Sequence, residues 1–156
     1  MTLAELYAQI ANCSRCPLRA TCTQPVHGHG EVGAKYFIIG RDPGREEDKF
    51  GIPFIGAAGH RLNKLLTAAG IDKGDCYIDN IVRCRPPNNR PPRVGEIKAC
   101  RRWIELALAV VQPEIVITLG GEALSMFSKH GIKQTHGTCF TAEIKDLEEL
   151  LNESLR

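Results

Sequence analysis

Three short apolar runs set the frame of this chain: Lys35-Tyr-Phe-Ile-Ile39, Cys76-Tyr-Ile-Asp-Asn-Ile-Val82 and Glu114-Ile-Val-Ile-Thr-Leu119. Each is strand-sized and rich in β-branched or aromatic residues, and segments of helical periodicity lie between them. Strands that alternate with helices at this spacing need crossover connections, which place the strands parallel in one sheet. Residues 57–69 carry Leu62, Leu65 and Leu66 at helical spacing and stop at Gly70, and residues 94–111 form a longer helix closed by Gln112-Pro113. A first helix is expected over residues 2–11, with Thr2 as cap and Glu5 at the capping-box position. Another is expected over 122–129, after the Gly120-Gly121 turn. Residues 45–49 read as a charged loop and the Pro- and Asn-rich residues 85–92 as irregular chain. Residues 138–144 read as a fourth strand and 145–155 as an acidic amphipathic helix.

A chain of 156 residues with 43% hydrophobic content supports a single packed domain over residues 1–156. No apolar run approaches the roughly 20 residues that cross a bilayer. The start, Met1-Thr-Leu-Ala-Glu5, lacks a basic patch followed by an apolar stretch. A cytoplasmic monomer with no membrane partner is therefore expected.

Seven cysteines are many for such a chain, and an odd number cannot all pair. In a reducing compartment an excess of cysteine points to metal, cluster or catalysis. Cys13 and Cys16 form a C-x2-C pair beside a turn, a bite that brings two thiolates to one centre. Cys84, before the proline loop, and Cys100, inside the next helix, supply two more thiols, with Cys22 as the rival ligand. Cys76 and Cys139 read as small buried hydrophobes. Spacing favours a four-thiolate site and leaves zinc and iron–sulfur both open.

In an open parallel sheet, ligands bind outside the carboxyl ends of the strands. Gly40-Arg-Asp-Pro-Gly44 falls there; its glycines admit a close ligand and Asp42 offers a carboxylate. Asn80 ends the second strand with a carboxamide suited to the edge of a nucleobase, and Phe54, between Pro53 and Gly56, offers a stacking face. Between residues 83 and 102 stand seven Lys or Arg, among them Arg83, Arg85, Arg90 and Arg93, against one acid, Glu96. The net charge is only +2, so this block is cationic on a slightly acidic body, a footprint suited to phosphates.

The segments Gly40-Arg-Asp-Pro-Gly-Arg-Glu-Glu-Asp48, Gly51-Ile-Pro-Phe-Ile-Gly-Ala-Ala-Gly59 and Tyr77-Ile-Asp-Asn-Ile-Val-Arg-Cys-Arg-Pro-Pro-Asn-Asn-Arg90 resemble the family 4, iron–sulfur uracil-DNA glycosylases. The likeness runs from about residue 3 to residue 137. It implies a three-layer α/β/α fold around a mostly parallel four-stranded sheet. It implies a 4Fe–4S cluster on Cys13, Cys16, Cys84 and Cys100, uracil-containing DNA as substrate, and hydrolysis of the bond between uracil and deoxyribose in base-excision repair. By the same likeness Phe54 stacks on the flipped uracil, Asn80 bonds its Watson–Crick edge, Gly40 and Arg41 border the base, and Glu47 and Asn89 also serve the site. Arg83, Arg85, Arg90 and Arg93 would meet DNA phosphates without reading sequence.

Two departures matter. The family's first motif reads Gly-Glu-Ala-Pro-Gly, whereas this chain has Arg41 and Asp42 at its second and third positions. Family 1 relatives carry a water-activating aspartate at that third position, so Asp42 is the expected general base or electrostatic stabiliser, with Arg41 as a partner able to hold it idle. The family's His-Pro-Ser loop does not appear after His136-Gly137, which implies a shortened or diverged C-terminus. The alternative expectation is accordingly an iron–sulfur protein that binds DNA or uracil without turnover.

Overall fold

The computed structural model describes residues 1–141 together with Leu150 and Asn152. Its centre is a sheet of three parallel strands in the order β2-β1-β3, with β1 at Tyr36–Gly40, β2 at Cys76–Asn80 and β3 at Ile115–Thr118. Among the described residues the named helices are α1 Leu3–Ala11, α2 Arg45–Phe50, α3 Ala57–Ala68, α4 Val94–Val111, α5 Gly121–Leu124 and α6 Ile132–Thr135. Three strands, not four, occur among the described residues. Residues 138–141 of the expected fourth strand carry no strand. The rest of that strand lies outside the described residues, as does nearly all of the helix expected over 145–155.

Strand alternation sorts the side chains into two layers. Phe37 and Ile39 of β1 and Tyr77 of β2 face α1 and α4, where they pack with Leu6, Ile10, Trp103 and Ile104. Ile38 and Ile78 face the other way, onto Leu62 and Leu66 of α3. Helices on both faces of a parallel sheet make the expected three layers. The Phe37 and Tyr77 rings sit 4.8 Å apart on paired positions. β3 forms the sheet edge among the described residues, and a groove of about 850 Å³ runs along it, lined in part by Leu124, Phe127 and Ile132.

α1 begins with the predicted capping box: Thr2 accepts from the Glu5 amide and the Glu5 carboxylate accepts from the Thr2 amide. α4 spans the predicted residues and ends at Gln112 in a left-handed conformation. The charged run expected as a loop is helical instead, as α2. Three acids in its first turn, Glu46, Glu47 and Asp48, favour the positive end of the helix, and Gly51 at φ 73° closes it. The helix expected over 122–129 shortens to α5, and α6 follows where none was expected. The proline loop holds only one short 3-10 turn, Pro87–Asn89.

Candidate active site

β1 and β2 end side by side, with Gly40 and Asn80 as Cα partners. The Ile81 amide donates to the Gly40 carbonyl at 2.9 Å, so the pairing continues past the strands. A side chain grown on Gly40 would begin 2.4 Å from Cζ of Phe54 and 2.7 Å from Oδ1 of Asn80. Only glycine lets the Phe54 ring and the Asn80 carboxamide come this close to the end of β1, and three residues far apart in sequence thereby meet at one place. Asn80 is 2% exposed, yet among the described residues nothing hydrogen-bonds its carboxamide. A buried amide held open in this way is ready for a ligand with complementary donors and acceptors.

Phe54 takes a positive φ of 56°, which a bulky residue adopts only where its surroundings impose it. Two contacts do so. The Cβ position of Gly59 lies 1.7 Å from the Phe54 carbonyl oxygen, so the first turn of α3 closes directly on the loop backbone. The Gly56 amide donates to Glu47 Oε1 at 2.7 Å, which anchors the far side of the loop to α2. Glu47 is itself buried.

Asp42 follows Gly40 by two residues, and its carboxylate is 7% exposed and ion-paired with Arg41. Burial pushes its carboxyl above the usual aspartate range, while the Arg41 guanidinium pulls it back and Glu122 of α5 adds to the rise. The pair leaves Asp42 with one protein partner among the described residues.

On the opposite side of β2, Cys13, Cys16, Cys84 and Cys100 line a single small cavity, together with Arg83 and Val82. The turn after α1, the chain leaving β2 and the early turns of α4 bring them together. Two N–H groups already point at sulfur: Arg83 N to Cys100 Sγ and Trp103 Nε1 to Cys13 Sγ, both at 3.3 Å. Burial pushes the Cys84 thiol up, and Cys100 up to about 11, so a bound cationic centre is what would ionise them. Among the described residues no three thiol, imidazole or carboxylate groups gather around a single ion position. Cys22 lies near Cys84.

The cationic rim is narrower than its sequence suggests. Arg83, expected at the DNA surface, is 1% exposed and ion-paired with Asp79, because its position puts it under β2 rather than on the loop. Arg90 binds the Glu96 carboxylate with both terminal nitrogens, at 2.9 and 2.7 Å. Arg85 Nε donates to Asn89 Oδ1 at 2.8 Å, which leaves Asn89 exposed on the loop with its carboxamide engaged there. Arg93 is exposed at the start of α4.

The Uracil DNA glycosylase superfamily profile matches residues 27–152. The chain belongs to the uracil-DNA glycosylase superfamily. Type-4 uracil-DNA glycosylases are among its relatives. That of Thermotoga maritima is 41% identical over 126 residues, covering 80% of this chain and 66% of the relative. That of Pyrobaculum aerophilum is 41% identical, covering 77% and 61%. That of Sulfurisphaera tokodaii is 34% identical, covering 94% and 70%. The chain thus spans about two thirds of the length of the curated relatives it matches.

Within this uracil-DNA glycosylase scaffold, sequence reasoning missed the Asp79–Arg83 pair. Burial pushes Asp79 up to about 6 and the Arg83 guanidinium opposes that rise. The signal was present: an acid inside an apolar strand with an arginine four residues on. Gly59 stands in the second motif, but its approach to the Phe54 carbonyl leaves no signal in sequence. The described helices include none long and apolar enough to cross a membrane.

Proposed function

We propose that the chain is a uracil-DNA glycosylase that flips uracil out of DNA and hydrolyses its N-glycosidic bond. The observation that carries this is that Asn80, 2% exposed and with no hydrogen bond to its carboxamide among the described residues, meets the Phe54 ring at Gly40. The ring supplies a stacking face, and the amide supplies one donor and one acceptor for the Watson–Crick edge of uracil. Extruding the base costs a few kcal/mol, which stacking and hydrogen bonds in the pocket offset. In the reaction water adds to C1′ of the sugar, the C1′–N1 bond breaks, and uracil leaves as an anion that is then protonated. Asp42 takes the water's proton or faces the cationic sugar, and Asn80 steadies the leaving base. Arg85 and Arg93 neutralise phosphates beside the site.

The four thiols fit a 4Fe–4S cluster better than one zinc ion. A zinc ion draws its sulfurs to about 2.3 Å from itself, whereas these sulfurs border a cavity and do not converge on one point. Cys13 and Cys16 after α1, Cys84 after β2 and Cys100 in α4 would hold the cluster, which would tie these three parts of the chain together. The protein acts as a cytoplasmic monomer in this reading.

A second reading, binding without turnover, is favoured by the Arg41–Asp42 pair, which engages the carboxylate proposed as base. A uracil-containing oligonucleotide incubated with iron-loaded protein and then cleaved at abasic sites by alkali separates the two. Strand cleavage supports the enzyme; binding without cleavage at stoichiometric protein supports the second reading.

A further inference from the structure

Asn80 is gripped through its own peptide. Its amide donates to Asp79 Oδ1 at 2.8 Å, and its carbonyl accepts from Arg83 Nη1. The same Nη1 pairs with Asp79 Oδ1, so the three residues close a ring across the two peptide units that flank the Asn80 Cα. Alternation along β2 puts the Asp79 side chain on the face of the sheet opposite the Asn80 carboxamide. Arg83 is thus beneath the base pocket while its own amide donates to Cys100 Sγ at 3.3 Å.

This arrangement is a poor way to stabilise a fold. Both side chains are at most 2% exposed, and Asp79 Oδ2, Arg83 Nε and Arg83 Nη2 have no partner among the described residues. Two apolar side chains of similar volume would hold such a position at least as well, because the desolvation cost of a buried pair offsets its attraction. What apolar side chains would not do is fix the orientation of the Asn80 peptide.

We propose that Asp79 and Arg83 are positioning residues: they lock the Asn80 peptide from the thiol-bearing face of the sheet and so aim its carboxamide at the base. The role of Asn80 rests on the function proposed above; the lock itself does not.

The test compares the iron-loaded native chain with Asp79→Leu/Arg83→Met and with Arg83→Lys. A purely structural pair would be replaced by the apolar variant without loss. The expected result is native iron content and a melting temperature close to native. Amide exchange at the end of β2 should speed up roughly tenfold or more, and affinity for free uracil should fall roughly tenfold. Arg83→Lys, which keeps charge but loses the planar fork, should fall between native and the apolar variant. Native exchange and native uracil affinity in the apolar variant overturn the proposal. Should that variant not fold, Arg83→Lys decides alone, and unchanged exchange at the end of β2 overturns it. If the native chain neither binds nor releases uracil, the proposed function fails, and the exchange comparison still decides the lock.

Discussion

Glu47 Oε1 accepts the Gly56 amide at 2.7 Å, so a buried carboxylate in the short helix α2 holds the loop that carries the Phe54 ring. Replacing Glu47 by alanine leaves the Gly56 amide without this partner and frees the loop. An unmet buried group costs about 1–3 kcal/mol. Glu47→Ala should therefore lower the melting temperature and weaken free-uracil binding by roughly tenfold, with Glu47→Gln retaining much of both. Calorimetry and uracil titration on the same preparations check this. Unchanged binding by Glu47→Ala would remove Glu47 from the site.

Gly59 leaves no room for a methyl group. Its Cβ would meet the Phe54 carbonyl oxygen at 1.7 Å, and that atom is backbone, with no rotamer to relieve it. Gly59→Ala must move either α3 or the Phe54 loop, at about 1–3 kcal/mol by analogy with overpacked cores. The folded fraction should lose uracil excision more than tenfold while keeping its iron. Full activity in a folded Gly59→Ala protein would show that the position of Phe54 is unimportant.

Asp42 supplies a pH prediction. Burial raises its pKa above the ordinary 3.8, and Arg41 restrains the rise. A general base works ionised, so the excision rate should fall on acidification with a midpoint above 3.8. Arg41→Ala removes the restraint and should shift that acid limb to higher pH; Asp42→Asn should abolish it. Linkage has the matching sign. A carboxyl raised in the folded state favours folding most below its unfolded pKa, and that contribution is lost as pH rises through the folded value. Single-turnover rates across pH for the three proteins check the shift, and a limb unmoved in Arg41→Ala would separate Asp42 from the rate.

Asn80→Ala should leave iron content and melting nearly unchanged and reduce excision by 100-fold or more, the loss typical of a donor aimed at developing charge. Equal rates on uracil in both proteins would contradict the pocket assignment.

Cys84→Ser and Cys22→Ser discriminate the thiols. Cys84 lines the cavity with Cys13, Cys16 and Cys100, whereas Cys22 packs beside it. Cys84→Ser should lose iron and expose the chain around residues 85–93 to protease; Cys22→Ser should keep both iron and resistance. Iron assay and limited proteolysis give the answer, and full iron in Cys84→Ser would move the ligand role to Cys22.

The parts legible in sequence were those fixed by local periodicity. α4 has apolar spacing over 18 residues and Pro113 beyond it, and the structure gives the same limits. α2 was hidden because Arg45-Glu-Glu-Asp-Lys-Phe50 has no apolar stripe; its ends, Gly44 and Gly51, define it instead. Gly40, Phe54 and Asn80 could be named from motifs, and the structure brings them into contact at the end of β1. Charge sequence alone misplaced Arg83, since a run of arginines does not say which member turns inward; that depended on Asp79 lying on the inner face of β2. Spacing left zinc and iron–sulfur both open because four thiols separated in this way can surround one ion or a cluster.

Cys13 and Cys16 precede the sheet, Cys84 leaves it, and Cys100 comes from the helix after it. During synthesis the first two emerge long before the last. If these four thiols hold the proposed cluster, the set is complete only once Cys100 of α4 has been made, long after Cys13 and Cys16. On that proposal the site closes from ligands at both ends of the first hundred residues, so cluster insertion would follow the folding of α1, β2 and α4 onto one another.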